Sequence, residues 1–356
     1  MSLARYKDLL SDAIVAFPAV PNTFPEIDDP YIARSLLQKA LRRGDLVRAM
    51  QAVYSLLKDP QRLWKGLAVT TFEDFGSAPV EVRGQVVAAC SSKKYRSDLG
   101  GDLAVAAALI HQLCAAPRDR RVDEVYMFAG VLGQAPLTLK ERRRLSTELR
   151  DLLSSALELI QRCERPVPHR SFKTVLAKEC DAFLIGLCED GRLNEEELAI
   201  CVQGRKTTQC LLPVLFPLTR PVSPRQGTFS FVTTCPLDLS RDIAGIPSYA
   251  LDGYTRAGKQ ALELLFRSNP NIQKALNSLT SRSRQLKALA ALLFVVEGGI
   301  CTQEIADPIF DELKHISRGR WSGLPTHVLP EALELMQDAI PELNDIREGT
   351  YAPYVP

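Results

Sequence analysis

Asp29-Pro30-Tyr31-Ile32-Ala33-Arg34-Ser35-Leu36-Leu37-Gln38-Lys39-Ala40-Leu41-Arg42-Arg43-Gly44-Asp45-Leu46-Val47-Arg48-Ala49-Met50 reads as two helices joined by a two-residue turn. Asp29 offers a carboxylate to cap the first helix, and Pro30 takes the first helical position, where its missing N–H costs nothing. Ile32, Leu36, Leu37, Ala40 and Leu41 then recur three and four residues apart, which puts them on one face. Gly44 ends that helix and Asp45 caps the next, whose stripe is Leu46, Ala49, Met50, Val53, Tyr54 and Leu57. Asp59-Pro60 repeats the signal, so two short antiparallel helices are expected and a third begins.

Moving outward, the same grammar continues. The helix from Pro60 carries Leu63, Trp64 and Leu67 and runs into Glu73-Asp74-Phe75-Gly76, after which Ser77-Ala78-Pro79 opens a helix bearing Val82, Val86, Val87 and Cys90. Leu103, Ala106, Ala107, Ile110, Leu113 and Cys114 mark an alanine-rich helix that stops at Pro117. Thr138 and Glu141 have capping-box spacing ahead of what reads as one long helix with Leu145, Leu149, Leu152, Ala156, Leu159 and Ile160. Two more helices are expected between Pro166 and Val202, the second capped by Asn194 with Glu197.

From Leu212 to Ser240 the pattern changes. Pro213, Pro217, Pro221, Pro224 and Pro236 surround Thr228-Phe229-Ser230-Phe231-Val232-Thr233, which predicts loop plus a short strand. Ile246 to Asp252 reads as helical, and helical spacing returns through Ala250, Leu251, Ala261, Leu262, Leu264 and Leu265, then from Ile272 through Leu293. At the other end, Pro18, Pro21 and Pro25 turn residues 1–27 into a short amphipathic piece followed by an extended arm. The expected fold is all-α: two packed multi-helical regions with a Pro-rich, partly β segment between them. The expected division is an arm at 1–27, a helical domain at 28–165, helices plus the Pro-rich segment at 166–240, and a C-terminal helical domain at 241–350.

Composition narrows function. Forty-four basic and forty-two acidic side chains leave a net charge of +2, so no global field draws in nucleic acid or anionic lipid, and any such surface is a local patch. Nine cysteines, an odd number with no Cys-x-x-Cys pair, read as reduced core thiols of a cytoplasmic protein. The start of the chain lacks a secretory pattern, and no apolar run reaches the roughly 18 residues that span a bilayer, so no membrane association is expected.

Residues 31 to about 130 resemble the C-terminal helical domain of the replication-associated recombination protein A family, the MgsA group of clamp-loader-like AAA+ ATPases. The resemblance lies in ordered motifs: Leu36 to Arg43 followed by Gly44-Asp45 and Ala49-Met50, then Arg62-Leu63 through Glu73-Asp74-Phe75-Gly76-Ser77-Ala78, and finally Cys114-Ala115-Ala116-Pro117-Arg118. It implies a collar-like domain over residues 28–165, a homo-oligomer, and a supporting role in DNA replication, repair or recombination beside DNA or replication and repair proteins. The family's Asn after the Ala-Pro-Lys segment is replaced within Asp119-Arg120-Arg121, and no ATPase module precedes the matching stretch. Arg42, Arg43, Gly44, Asp45, Glu73, Asp74, Gly76 and Pro117 are the positions that carry the family-like pattern.

Candidate chemistry is sparse. Gly253-Tyr254-Thr255-Arg256-Ala257-Gly258-Lys259-Gln260 has the glycine and lysine spacing of a phosphate-cradling loop, with Gln260 where a magnesium-holding hydroxyl belongs. Thr255, Arg256 and Lys259 are therefore the alternative nucleotide site. Glu73-Asp74 imitates an acid pair, but acidic residues ahead of a Gly turn serve equally well in helix-end hydrogen bonding. His111, His169, His315 and His327 have no metal-ligand spacing, and neither a metal nor a cofactor is expected. Cys90, Cys114 and Cys180 lie on apolar stripes, where thiols are inert. Basic clusters are the credible surface signal: Lys93-Lys94-Tyr95-Arg96, Arg118 with Arg120 and Arg121, Arg142-Arg143-Arg144, and Arg282 and Arg284 with Lys287. The resulting expectation is a non-enzymatic helical assembly protein, with a nucleotide-binding protein or enzyme, or a protein-only adaptor, as the alternatives.

Overall fold

The computed structural model describes residues 3–15, 24–132, 136–166, 173–219, 231–232, 239–325 and 327–351. The chain is all-α with short strands. It divides into two compact units that interleave along the sequence: Met1–Pro21, Pro60–Val232 and Gln303–Leu313 make the first, and Asn22–Asp59, Thr233–Thr302 and Lys314–Pro356 the second. These boundaries cut across the sequential division expected at residues 27, 165 and 240. The stretch 31–130 is itself split at Asp59.

In the first unit, helices Pro60–Asp74, Val80–Ser91, Asp102–Ala115, Arg121–Leu132 and Glu195–Thr208 pack around Leu67, Phe72, Val86, Ile110, Val125 and Phe128, all without solvent exposure. The short amphipathic piece at the start of the chain is a helix, Ala4–Val15. Tyr6 and Leu10 are buried, and Tyr6 lies over Gly84 so closely that a Cβ there would fall 2.3 Å from its ring. Residues 16–23, including Pro18 and Pro21, lie outside the described residues. The capping box at Thr138 and Glu141 is present, but it opens only the Leu139–Arg144 helix. Leu145 is extended at φ −89°, ψ 135°, and Ser146 caps a separate helix, Thr147–Cys163. A hairpin that periodicity could not reveal, Glu164–Pro166 antiparallel to Lys173–Val175, then turns the chain back into Ala177–Glu189. Asn194 and Glu197 form the expected capping box.

Leu212 to Thr219 is not loop. Pro213 sits in the first turn of Leu212–Leu215, where proline is tolerated, and Phe216–Thr219 continues as a 3-10 turn. Of the predicted strand at 228–233, Phe231–Val232 pairs antiparallel with Glu304–Ile305, and the rest lies outside the described residues.

In the second unit, helices Pro30–Arg43 and Leu46–Leu56 form the predicted hairpin. Asp29 accepts from Tyr31 N at 2.7 Å, Gly44 is left-handed at φ 68°, and Asp45 accepts from Arg48 N at 3.0 Å. The other members are Arg256–Ser268, Pro270–Ala275, Arg282–Leu293, Leu329–Asp338 and Ile340–Tyr351, around a core of Leu262, Leu265, Leu276, Leu289, Met336 and Leu343. The apolar run from Ile272 to Leu293 is thus two helices, separated by a turn that Ser281 closes as the next cap. Ile246 to Asp252 is not helical throughout: Asp242–Ile243 and Ile246–Pro247 pair as a minimal hairpin before a 3-10 turn, Ser248–Ala250.

This unit holds together through buried charge. Lys39, 2% exposed, donates to Ser35 Oγ at 2.9 Å, to the Tyr249 carbonyl at 2.7 Å and to the Asp252 carboxylate. Arg347 grips Glu297 at 2.9 and 2.7 Å and the Leu251 carbonyl at 3.0 Å. Phe294–Gly298 forms a π-helical turn, and its carbonyls at Gly298 and Glu297 receive Arg42 at 3.1 Å and Arg43 at 2.7 Å. These bonds explain why the first helical hairpin belongs with the C-terminal helices.

Candidate functional site

The candidate surface lies in the first unit, along the helix Thr147–Cys163. Ser146 starts it by accepting from Leu149 N at 3.2 Å, and Leu149, Leu153, Ala156, Ile160 and Cys163 bury one face. After the hairpin, Leu176 N donates to the Cys163 carbonyl at 2.7 Å, which brings Ala177–Glu189 back beside it with the Cys163 and Cys180 thiols hydrogen-bonded to each other. That hydrogen bond, with burial, holds the Cys180 thiol far above its ordinary pKa, and burial pushes Cys90 up to about 12. Neither supplies a thiolate nucleophile at neutral pH.

Beside this crossing runs a groove of about 380 Å³. Its apolar floor is Leu152, Leu159, Phe183 and Leu218, buried or half-buried, and the small Ser155 leaves room at its middle. Glu148, Asp151 and Glu158 stand exposed on its rim with Arg162 and Arg192. Among the described residues, none of these five charged side chains is held in an ion pair. Helical spacing predicts Leu152 on the buried stripe. It lies off that stripe, and a helix that is apolar on two faces was the available signal.

The predicted basic residues at 118–121 have a different setting. Asp119 N donates to the Asp74 carbonyl at 2.8 Å, Gly76 N to the Asp119 carbonyl at 3.0 Å and Ile305 N to the Arg118 carbonyl at 2.9 Å. Strand 231–232 adds to 304–305, so four extended stretches line up inside a helical unit. Gly76 fits this closeness: a Cβ there would lie 2.9 Å from Asp119 Oδ2 and 3.3 Å from the Asp119 carbonyl, so Asp119 would have to shift. Asp74, with no exposure, accepts from Arg120 Nε at 2.9 Å, and Arg120 also reaches Asp123 at 2.5 Å. Asp119 takes Arg121 through two bonds of 2.9 and 2.7 Å and the Ser77 hydroxyl besides. Burial opposes ionisation there, but the Arg121 bonds and charge and the Ser77 hydroxyl prevail and hold the Asp119 carboxyl below its ordinary pKa.

Arg118, 1% exposed, lies over the Phe75 ring and donates to the Ala116 and Cys114 carbonyls at 2.7 and 3.0 Å. Arg118, Arg120 and Arg121 are therefore internal struts, which corrects their reading as nucleic-acid contacts: a buried guanidinium already bonded to carboxylates and carbonyls cannot reach a phosphate. The family-like residues Asp74 and Gly76 serve this knot, with Glu73 and Pro117 half-buried beside them. Arg42, Arg43, Gly44 and Asp45 serve the helical hairpin of the other unit.

The remaining basic positions divide. Arg142 and Arg143 are exposed, whereas Arg144 pairs with Glu312 at 2.5 Å. Arg284 and Lys287 are exposed, whereas Arg282 stacks 3.7 Å above the Phe266 ring centre. The phosphate-loop-like segment is closed on itself. The Asp252 carboxylate accepts from Tyr254 N at 2.9 Å and Thr255 N at 3.2 Å, and Thr255 Oγ takes Gly258 N at 3.0 Å. Gly258 presses so tightly that a Cβ would fall 1.9 Å from the Asp252 carbonyl. The N–H groups that a phosphate would need are occupied by a carboxylate and a hydroxyl, while Arg256 and Lys259 point to solvent as ordinary exposed residues.

Among the described residues no three His, Cys, Asp or Glu side chains converge as a metal site requires, and no helix is long and apolar enough to cross a membrane. Compared with models of protein families, with curated proteins and with solved structures, the chain matches none of them significantly.

Proposed function

We propose that this chain is a helical assembly protein that acts by holding other molecules side by side, in a reducing cytoplasm, rather than by turning over a substrate. The groove along Thr147–Cys163 carries the reading. It is an open trough beside one helix with an apolar floor and charged rim, the form in which a protein segment is received. The internal knots support it too, because rigid elements are what hold a binding surface in shape. The eight described cysteines are free, as a reducing compartment requires.

The resemblance over residues 31 to about 130 extends the reading to self-association in support of DNA replication, repair or recombination. With the three buried arginines removed, Arg142 and Arg143 in one unit and Arg284 and Lys287 in the other are the phosphate contacts that this extension calls for. Light scattering after size exclusion, run with and without duplex DNA across a range of salt, tests the proposal. A mass above that of one chain is expected, with DNA binding that weakens steeply as salt rises. A strict monomer that turns over a small metabolite and ignores DNA and other proteins would end it.

A further inference from the structure

Resting on the reading that the chain works by holding partners, we infer that the groove receives a basic, amphipathic segment of another protein. Glu148, Asp151 with Leu152, Ser155, Glu158 with Leu159, and Arg162 recur three and four residues apart, so they form a single ridge along one side of the helix. From Glu148 to Glu158 that ridge runs for about 15 Å at the helical rise. Carboxylates flank the floor at both ends of this length, and Ser155 opens its centre. A segment with an apolar residue every third or fourth position places those residues on Leu152, Phe183 and Leu218, the half-buried part of the floor, and its lysines or arginines then face carboxylates that have no ion-pair partner among the described residues.

The sign of the rim selects the occupant. Glu148, Asp151 and Glu158 outnumber Arg162 and Arg192, so the rim is net acidic by one charge, and the acids are concentrated along the Glu148–Glu158 ridge, which disfavours the phosphates of a polynucleotide or an anionic bilayer there and favours cationic side chains. Arg162 sits one turn beyond Glu158 and meets an acidic residue or a terminal carboxylate of the segment, which fixes the direction in which it lies.

The test uses the full chain and a fluorescein-labelled peptide of leucine and lysine in helical alternation, followed by anisotropy. Its control is the same peptide with glutamate in place of lysine. Two variants probe the groove separately: Glu148→Lys with Asp151→Lys and Glu158→Lys reverses the rim, and Ser155→Trp fills the centre at constant charge. All four positions are exposed, and unchanged circular dichroism verifies the fold. Saturable binding of the lysine peptide is expected, weaker at higher salt, at least tenfold weaker in either variant, and missing for the glutamate peptide.

No binding, equal binding by either variant, or equal binding of the glutamate peptide overturns the assignment. So does a labelled DNA duplex whose binding is lost in Ser155→Trp, because the groove would then take phosphate. Light scattering on the same preparations separates the two levels. Oligomers without peptide binding remove the groove's partner and leave the assembly reading standing, while a monomer that binds the peptide keeps the groove's partner and removes only the self-association.

Discussion

The stretch from Arg118 to Asp123 and the helix from Thr147 to Cys163 are both crowded with charge, and the first unit uses them in opposite ways. In the first stretch every arginine is turned inward against a carboxylate, a carbonyl or a ring. Along the helix Glu148, Asp151, Glu158 and Arg162 stand at the rim of a groove with no ion-pair partner among the described residues. The knot therefore holds the fold in place, and the ridge is the surface that the proposed partner would use. Charge density alone does not tell these roles apart, because the distinction is which groups have lost water and found partners.

The sharpest way to break the comparison is Asp74→Ala. It removes one of the two carboxylates that hold the buried Arg120 guanidinium and leaves Asp123, and a loss of about 3 kcal/mol is expected in denaturant unfolding. Replacing both partners, as in Asp74→Leu with Arg120→Met, recovers most of it; a double variant as unstable as the single one contradicts the account.

The buried lysine of the second unit extends the contrast to pH. Burial, opposed by the charge of Asp252, lowers the Lys39 amine from its ordinary 10.5 to about 8. The unfolded chain then binds more protons than the folded one between those values, so stability should rise with pH from about 8 towards 10, by about 1 kcal/mol per pH unit. Lys39→Met should flatten that slope in urea midpoints measured across the window. Above pH 10 the trend reverses, because burial and the Glu196 hydrogen bond raise the Tyr6 hydroxyl to about 12 and only the unfolded tyrosine ionises there.

Thr255→Ala removes a helix cap and should cost about 1 kcal/mol. If the segment is a cap and not a phosphate cradle, ATP shifts the melting temperature of neither the wild-type chain nor the variant. The smallest effect on stability belongs to the groove: Glu148→Gln and Glu158→Gln should move the unfolding midpoint by no more than about 0.5 kcal/mol. The same changes should weaken the lysine peptide measurably, which separates a binding rim from a structural one.

Much of the fold was legible. Asp29-Pro30, Gly44-Asp45 and Asn194 with Glu197 mark helix ends through local hydrogen bonds, and such bonds form wherever the chain goes afterwards. Longer-range features were not. The break at Leu145 follows a capping box that read correctly and then stopped after six residues, since Ser146 offers a second cap. The site was legible only in part. Leu152 is marked by helical spacing, but nothing local says that Phe183 and Leu218 come to stand opposite it.

The sequence by itself determined that the chain is helical, where most helices begin, and that its thiols and charges are balanced for an ordinary interior and surface. Those properties depend on neighbours within a turn or two. Tertiary structure alone decided that residues 30–56 join the C-terminal helices, that Arg118, Arg120 and Arg121 are internal while Glu148, Asp151 and Glu158 are not, and that a groove exists at all. Each of those facts depends on which surfaces exclude water from one another, and that is settled between residues far apart in the chain.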